Sequence, residues 1–415
     1  MNCVMDTKIL QINVTANSGS TGRIAEGIGL AVQNAGFESW IAYGRYANKS
    51  RSQLIRIGST LSCYEHGFES RIFDNHGLAS RIATTSFIKK IDQIQPDLIH
   101  IHNIHGYYIN YKILFRYIRE KSIPVVWTFH DCWPFTGHCS YFTFCGCEKW
   151  KSACFCCPQK KAYPASFFLD RSKKNYEEKK KAFSSFRNLT LVSVSHWLDQ
   201  LVSESFFRKY NHITIHNGID TEVFTPCSNA MEIRRKYSIL DDETMLLGVA
   251  KVWNYRKGLN DFIELGKLLS PKEKIILIGL SKDQISSLPP NIIGLGNTES
   301  ARELAEYYSA ADLFLNLTYE DNYPTTNLEA ISCGTPCLTY RTGGSPESIT
   351  DKTGFVIEQG NIQEAADIIS GKGFMDKKYG KTCRSFAENI FSEKVIFQKY
   401  IELYQLALEN KSFSL

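Results

Sequence analysis

Apolar and polar positions along the chain fall into two periods. Short, nearly continuous apolar runs of the kind a buried parallel strand gives stand at Lys8–Val14, Pro124–His130, Leu189–Ser195, Met245–Ala250 and Asp312–Thr318. Between them apolar residues recur every three or four positions, as at Ile24, Ile28, Leu30 and Val32 within Arg23–Ala35, and predict helices. Further strands are predicted at Glu38–Tyr43, Pro96–His102, Ile213–Asp220, Ile275–Ile278, Ile292–Leu295 and Pro336–Tyr340. Helices are predicted at Tyr111–Lys121, Asp170–Phe186, Leu259–Leu269, Ala301–Ala310 and Phe391–Leu408, and residues 45–95 read as loop and helix. The alternation of strand and helix runs through twice. It implies an α/β chain of two facing, doubly wound, Rossmann-like domains with a cleft between them.

At 415 residues the chain exceeds one ordinary core. Pro226, in Thr225–Ser228, marks the expected linker, giving domains at 1–225 and 226–390, with 391–415 a terminal helix packing back on the first domain. A hydrophobic fraction of 43% and a charged fraction of 22% are those of a soluble globular protein. The stretch before Ile9 lacks the apolar core of a signal peptide, and no apolar run reaches the ~18 residues of a spanning helix. A cytoplasmic protein is expected. The net charge of +5 is mild and its basic residues are not interleaved with aromatics, which argues against nucleic acid as a partner. One basic cluster stands apart: Lys160, Lys161, Arg171, Lys173, Lys174, Lys179, Lys180 and Lys181. Its plainer reading is a solvated helix face. The sharper one is peripheral contact with anionic lipid at the inner face of the membrane, helped by Phe167 and Phe168.

Seven of the thirteen cysteines lie between Cys132 and Cys157, inside an insertion at 132–158. Without a secretory signal, disulfides explain them poorly. Cys139, Cys147, Cys154 and Cys157 have the spacing C-x7-C-x6-C-x2-C, whose close final pair suits a structural zinc ion. Cys132, Cys145, Cys156 and His138 leave the ligand set open, and a reduced thiol cluster or redox chemistry are the alternatives. Four thiolates would leave a zinc no open position for catalysis.

Candidate chemistry gathers where strands end, the edge at which open α/β sheets bind ligands. In the first half, Asn17-Ser-Gly-Ser-Thr-Gly22 joins a strand to a helix and offers backbone amides, Gly22 among them, to an anion. His100, His102 and His105 read more simply as hydrogen-bonded strand-end histidines than as ligands. His130 and Asp131 close another strand, where a histidine beside a carboxylate is oriented as a donor or acceptor. In the second half Lys251, Arg256 and Lys257 can neutralise a diphosphate without a metal. Glu320 and Asp321 follow a strand, and Thr325 and Glu329 belong to the helix after Pro324, which Gly334-Thr-Pro336 stops. Gly343 and Gly344 lie in the loop Thr342–Glu347. A carboxylate such as Glu329 can accept from both ribose hydroxyls, and Asp321 can hold a sugar. Diphosphate, ribose and a second polyol together describe a nucleotide-diphospho-sugar. No Asp-x-Asp motif is present for metal-dependent handling of such a donor, so no catalytic cofactor is expected.

These residues carry a resemblance. Lys257-Gly258, D-N-Y-P-T-T-N-L-E-A-I-S-C-G-T-P from Asp321 to Pro336, and T-G-G-S-P-E from Thr342 to Glu347 resemble the donor half of family 4 glycosyltransferases, retaining enzymes of the GT-B fold. S-G-S-T-G-R-I, H-I-H-N and T-F-H-D extend the resemblance through the first half. The stretch H-D-C-W-P-F-T-G-H-C with the cysteines beyond it resembles a bacterial subgroup used in surface-polysaccharide synthesis, the setting of lipopolysaccharide and capsule. By resemblance, the acidic pair of the family falls on Asp321 and Glu329, unless Glu320 takes the first role, and its basic pair on Lys251 and Lys257. Asp321 would then hold the donor sugar, Glu329 the ribose and Lys251 and Lys257 the diphosphate, while His130 would contact the sugar. The family is thought to use front-face attack in which the leaving phosphate takes the acceptor proton, so no separate general base is sought. The expected partners are a nucleotide-diphospho-sugar and a saccharide acceptor, lipid-linked. The alternatives are an epimerase or phosphorylase on the same fold, or a non-catalytic nucleotide-sugar-binding scaffold.

Overall fold

The computed structural model describes residues 7–186 and 188–409. The reading of the N-terminal stretch as free of a leader falls largely on residues 1–6, outside the described residues. The chain divides into two compact units, one comprising residues up to His216 together with those from Phe397 onward, the other Asn217–Ile396.

The first unit is built on seven parallel strands: β1 (Lys8–Ala16), β2 (Glu38–Ala47), β3 (Gln53–Arg56), β4 (Leu98–Ile101), β5 (Val125–Phe129), β6 (Leu189–Ser193) and β7 (Asn211–Thr214). Their order is β3-β2-β1-β4-β5-β6-β7, so the winding reverses between β1 and β4. Both β4 and β5 are buried along their whole length, as central strands covered on two faces should be, and their polar members His100 and Thr128 hydrogen-bond to each other. Helices α1 (Gly19–Asn34), α2 (Thr60–Phe73), α3 (Arg81–Ile94), α4 (Tyr111–Lys121), α5 (Ser172–Phe183) and α6 (His196–Glu204) belong to this unit. Trp127 is an aromatic centre of its core, with Phe115, Phe129 and Phe183 at ring centroid distances of 4.9–5.0 Å.

In the second unit six parallel strands follow the order β10-β9-β8-β11-β12-β13. They are β8 (Thr244–Val249), β9 (Glu273–Ile278), β10 (Ile292–Leu295), β11 (Leu313–Asn316), β12 (Cys337–Tyr340) and β13 (Gly354–Ile357). Here the winding reverses between β8 and β11, which pair Leu246 with Leu313 and Leu247 with Phe314. Its helices are α7 (Ala230–Lys236), α8 (Leu259–Leu268), α9 (Lys282–Ser286), α10 (Ala301–Ala310), α11 (Thr325–Ser332), α12 (Ile362–Gly371) and α13 (Lys377–Ile390). The last helix, α14 (Glu393–Leu408), begins in this unit and ends in the first. There Tyr404 Oη lies 2.6 Å from His100 Nδ1 and Tyr400 Oη 3.2 Å from Thr128 Oγ1.

Several expectations need correction. Helix α1 starts at Gly19 rather than Arg23, after the extended Ser18, so Gly22 lies inside a helix instead of in an open loop. A Cβ there would stand 2.6 Å from Thr15 Oγ1, which makes Gly22 a close-packing glycine between β1 and α1. Residues 45–95 hold the edge strand β3 as well as helices; only one of its four residues is buried, so it shows little apolar signal. The division between units precedes Pro226. Ile219 bridges Ser392, and a Cβ on Gly218 would stand 2.9 Å from Glu393 Cα, which ties 217–219 to the second unit. Lys179, grouped with a solvated basic face, is buried: its Nζ donates to Trp133 O at 2.7 Å and Thr136 O at 3.0 Å. The lysines at 173, 174, 180 and 181 are exposed.

Candidate functional site

The switch point of the second sheet brings two loop systems together. Beyond β8 the chain turns through Asn254-Tyr-Arg-Lys257 into α8, and Gly258 closes the turn at φ +71°. A Cβ at Gly258 would stand 2.0 Å from Leu317 O, so only glycine lets this turn lie against the end of β11. Arg256 then joins the loop after β11: its carbonyl accepts from Tyr319 N at 2.7 Å and Thr318 Oγ1 at 3.1 Å, and its Nη1 donates to Glu320 O.

Lys257 and Asp321 meet within this framework, Nζ to Oδ2 at 2.5 Å, with side chains 20% and 18% exposed. Burial disfavours the charge on each group. For Asp321 the Lys257 and Arg256 cations outweigh it and hold the carboxyl below its usual range. For Lys257 burial prevails over the attraction of Asp321 and, with the Arg256 charge, draws the ammonium below its usual range. The result is a lysine that a second anion can recruit with little further desolvation. Glu320 is fully buried, so Asp321 is the carboxylate of this pair that reaches the sheet edge.

The third loop packs on the same point. Gly343 has φ +55° and would place a Cβ 2.0 Å from Asp321 O; Gly344 N–H donates to that oxygen at 3.0 Å, and Thr342 Oγ1 to Thr318 O at 2.7 Å. Helix α11 starts after Pro324 with Thr325 half-buried, and Glu329 is buried on its second turn, accepting from Tyr308 Oη at 3.0 Å. Lys251 is exposed. Lys257, Asp321, Gly343 and Gly344 are therefore in one assembly, with Arg256 and Glu320 in its backbone and Glu329 in the helix that follows.

Sequence reasoning missed what holds this assembly. Asn327 is buried in α11, accepts from Asn316 Nδ2 at 2.7 Å, and donates to Ser345 Oγ at 3.1 Å and Ser348 Oγ at 3.0 Å. It pins the helix to β11 and to the glycine loop. No local signal marked it, because Asn327 stands among the polar Thr325, Thr326 and Glu329, and only the buried polar network reveals its part.

On the first sheet, His130 stands just beyond β5 and His102 just beyond β4. Gln11 Nε2 donates to Ala25 O, so Gln11 Oε1 accepts from His102 Nε2 at 3.0 Å. His102 Nδ1 is then an acceptor, and His130 Nε2–H donates to it at 3.0 Å. Burial, opposed by the neighbouring Asp131, draws the His130 pKa down to about 4, so the ring is neutral near pH 7 and Nδ1 is its acceptor nitrogen. Asp131 accepts from Trp133 N at 2.9 Å and lies 2.8 Å from His105 Nε2. His100 bonds Tyr404 and Thr128. The histidines at 100 and 102 are thus hydrogen-bonded strand-end residues, with His102 also fixing the tautomer of His130.

Beyond β5, Cys139, Cys147, Cys154 and Cys157 border one cavity of about 10 Å³.

Comparison with known proteins places these features in context. Residues 22–223 match the family described as Glycosyltransferase Family 4, and residues 230–390 the family described as Glycosyl transferases group 1. A protein of Escherichia coli (strain K12) described as a colanic acid biosynthesis glycosyl transferase, WcaC, is 22% identical over 96% of this chain and 99% of its own length. An N,N'-diacetylbacillosaminyl-diphospho-undecaprenol alpha-1,3-N-acetylgalactosaminyltransferase of Campylobacter jejuni is 23% identical over 46% of this chain and 54% of its own. Among solved structures, a sucrose-phosphate synthase from Thermosynechococcus elongatus superposes with TM-score 0.73 at 16% identity, covering 98% of this chain and 100% of that one. WaaG, a glycosyltransferase involved in lipopolysaccharide biosynthesis, does so with TM-score 0.63 at 16% identity, covering 95% and 99%. These likenesses show the GT-B fold.

Proposed function

Since the chain belongs to the glycosyltransferases, with a family 4 first domain and a group 1 second domain, we propose that it moves a sugar, with retention at the anomeric carbon, from a nucleotide-diphospho-sugar to a lipid-linked saccharide during surface-polysaccharide assembly. The observation that carries this reading is the Lys257–Asp321 pair at the carboxyl edge of the second sheet. It sets a cation for a diphosphate beside a carboxylate for a polyol.

In this reading Lys257 leaves Asp321 for the diphosphate, aided by Lys251, while the amide of Gly344, already given to Asp321 O, holds the glycine loop in place. Asp321, rather than the buried Glu320, takes hydroxyls of the transferred sugar, and Glu329 takes the ribose. Breaking the anomeric C–O bond places negative charge on the leaving diphosphate. A preorganised cation there is worth about 3–4 kcal/mol. The leaving phosphate oxygen accepts the acceptor's hydroxyl proton as the new glycosidic bond forms. His130 contacts the transferred sugar. Gly22 serves by letting α1 lie close to β1 rather than as an anion-binding amide. Catalysis needs no metal here.

Membrane contact belongs to the same proposal. Leu61, Tyr64 and Phe68 recur at i, i+3 and i+7 along α2 and are exposed, as are Phe167 and Phe168. Phe167 N–H donates to Arg71 O at 2.8 Å, which keeps this segment beside the end of α2. With Lys173 and Lys174 exposed nearby in sequence, this suits an anionic lipid surface at the cytoplasmic side. Among the described residues no helix is long and apolar enough to cross a membrane. We also infer a structural zinc ion in the insertion, apart from the chemistry, at the cavity that Cys139, Cys147, Cys154 and Cys157 border.

Turnover of a panel of radiolabelled nucleotide-sugars with lipid-linked saccharide acceptors tests the function. Transfer with retained anomeric configuration is expected, and its loss in Glu329→Ala without loss of fold. Hydrolysis or epimerisation alone, or binding without turnover across the panel, would overturn it.

A further inference from the structure

Protons can be counted around Asp74, which lies buried at the end of α2 with buried His76 and His138 beside it. Trp133 Nε1–H can only donate, and it reaches His76 Nδ1 at 2.7 Å. That nitrogen is therefore a lone pair, and the proton of neutral His76 sits on Nε2, 3.2 Å from Asp74 Oδ1. His138 Nδ1 lies 2.6 Å from the same carboxylate oxygen, which can only accept, so His138 carries its proton on Nδ1. The other oxygen of Asp74 takes the backbone N–H of Arg171 at 2.8 Å.

One lone pair is left over. His76 Nε2–H stands beside Asp74 without a formed hydrogen bond, and His138 Nε2, the nitrogen without a proton, is also buried with no hydrogen bond among the described residues. A second proton there would bury a charged donor without an acceptor; a single proton leaves a buried lone pair, which a native protein rarely leaves uncompensated. The His138 ring borders the small cavity that Cys139, Cys147, Cys154 and Cys157 also border. A volume of about 10 Å³ holds about one water-sized sphere, room enough for an ion.

The thiols border the same cavity, and among the described residues no three of the four candidate ligand atoms yet stand within 4.8 Å of one another. The thiols of Cys139 and Cys157 are close enough to influence each other. Cys154 Sγ accepts from Gly137 N–H at 3.1 Å, the sort of support a thiolate ligand receives. A Cβ on Gly137 would stand 2.1 Å from Ser172 O and 2.7 Å from Cys154 Cβ, so glycine is what lets the His138 turn lie against Cys154. Buried Lys179 donates to Thr136 O, and Thr136 borders the cavity too. Zn²⁺ with three thiolates and a neutral imidazole has one net negative charge, which this ammonium balances.

Resting on the inferred zinc ion, we propose that its ligands are Cys139, Cys154, Cys157 and His138 Nε2, with Asp74 as the carboxylate that orients the imidazole. Cys147 is half-buried and has solvent as an alternative partner, whereas His138 Nε2 has none. Asp74 and His76 lie within ligand distance of His138, yet the proton on His76 Nε2 keeps that ring out of the set. Metal entry displaces three thiol protons to solvent and draws the three sulfurs and the nitrogen to about 2.3 Å and 2.0–2.1 Å from the ion. The site would fasten the irregular insertion to α2 and α5, just beyond His130 and Asp131.

The full chain, purified reduced and without chelators, is assayed for metal and by zinc-edge X-ray absorption. About one zinc per chain with three sulfur and one nitrogen ligands is expected. Cys147→Ser should keep the metal, and Asp74→Asn or His138→Gln should release it to a competing chelator ten- to a hundredfold more readily. Should these variants misfold, the absorption of the parent chain still decides. Four sulfurs and no nitrogen would overturn the assignment of His138 while leaving the zinc inference standing. No zinc, with no uptake of added Zn²⁺, would overturn both.

Discussion

The donor edge of the second domain and the cysteine insertion of the first are built on opposite plans. At the donor edge the side chains come from three short loops, each leaving a parallel strand or entering a helix, and glycines at 258 and 343 seal the loops onto the sheet. The insertion has only three-residue 3-10 turns, at Trp133–Phe135, Thr143–Cys145 and Lys149–Lys151. Its order comes from long-range side chains, Asp74 and Lys179. Regular elements place a site through the backbone, whereas an irregular segment needs buried polar anchors or a metal to do the same.

The largest effect should fall on the donor edge. Lys257→Ala removes the cation proposed for the leaving diphosphate, and kcat should drop about 10²–10³-fold, with folded content by circular dichroism unchanged. Retained kcat would break the comparison at its strongest point. Gly343→Ala should cost roughly 1–3 kcal/mol through its left-handed backbone, and more if Asp321 O cannot move aside. Denaturant melts should show the loss together with weaker transfer. Asn327→Ala leaves Asn316, Ser345 and Ser348 short of a partner and should destabilise by about 1–3 kcal/mol, lowering transfer only through misplacement of α11. Equal loss in both measures is expected, and full activity in a destabilised variant would relegate Asn327 to packing.

A smaller contrast is in pH. In the first domain burial lowers the pKa of His66 to about 3 and that of His130 to about 4. Both rings are neutral when folded, so the stability they contribute is present above about 6.5 and lost as pH falls through those values. In the second domain burial, with Asp220 and Glu222, raises the Glu393 carboxyl to about 7 from 4.5. Its contribution has the opposite direction, present below 4.5 and lost as pH rises through about 7. Melts of Glu393→Gln should lose the decline between those values. An unchanged pH profile would mean that Glu393 titrates as an exposed acid.

What the sequence made legible follows the same division. Strands such as β5 and β11 are short apolar runs and were readable as buried. The loops at their carboxyl ends were therefore readable as the ligand edge. The pairing of Lys257 with Asp321, 64 positions apart, was not legible, because it depends on strand order rather than on local pattern. Edge strand β3 escaped because an exposed strand carries little apolar signal. Lys179 escaped because a lysine buried by two carbonyls and the Trp133 ring looks, in sequence, like its solvated neighbours. Spacing alone pointed to four cysteines, while the lone pair of His138 becomes visible only once Asp74 is seen to hold the other side of its ring.

Calorimetric binding of nucleoside diphosphates to the parent and to Lys257→Ala tests the central claim most directly, because it isolates the diphosphate contact from the acceptor and the chemistry. The parent should bind one of them, and Lys257→Ala should bind it at least tenfold more weakly, a loss of about 1.4 kcal/mol or more. Equal affinity in the two proteins would contradict the assignment of the diphosphate to the Lys257–Asp321 edge.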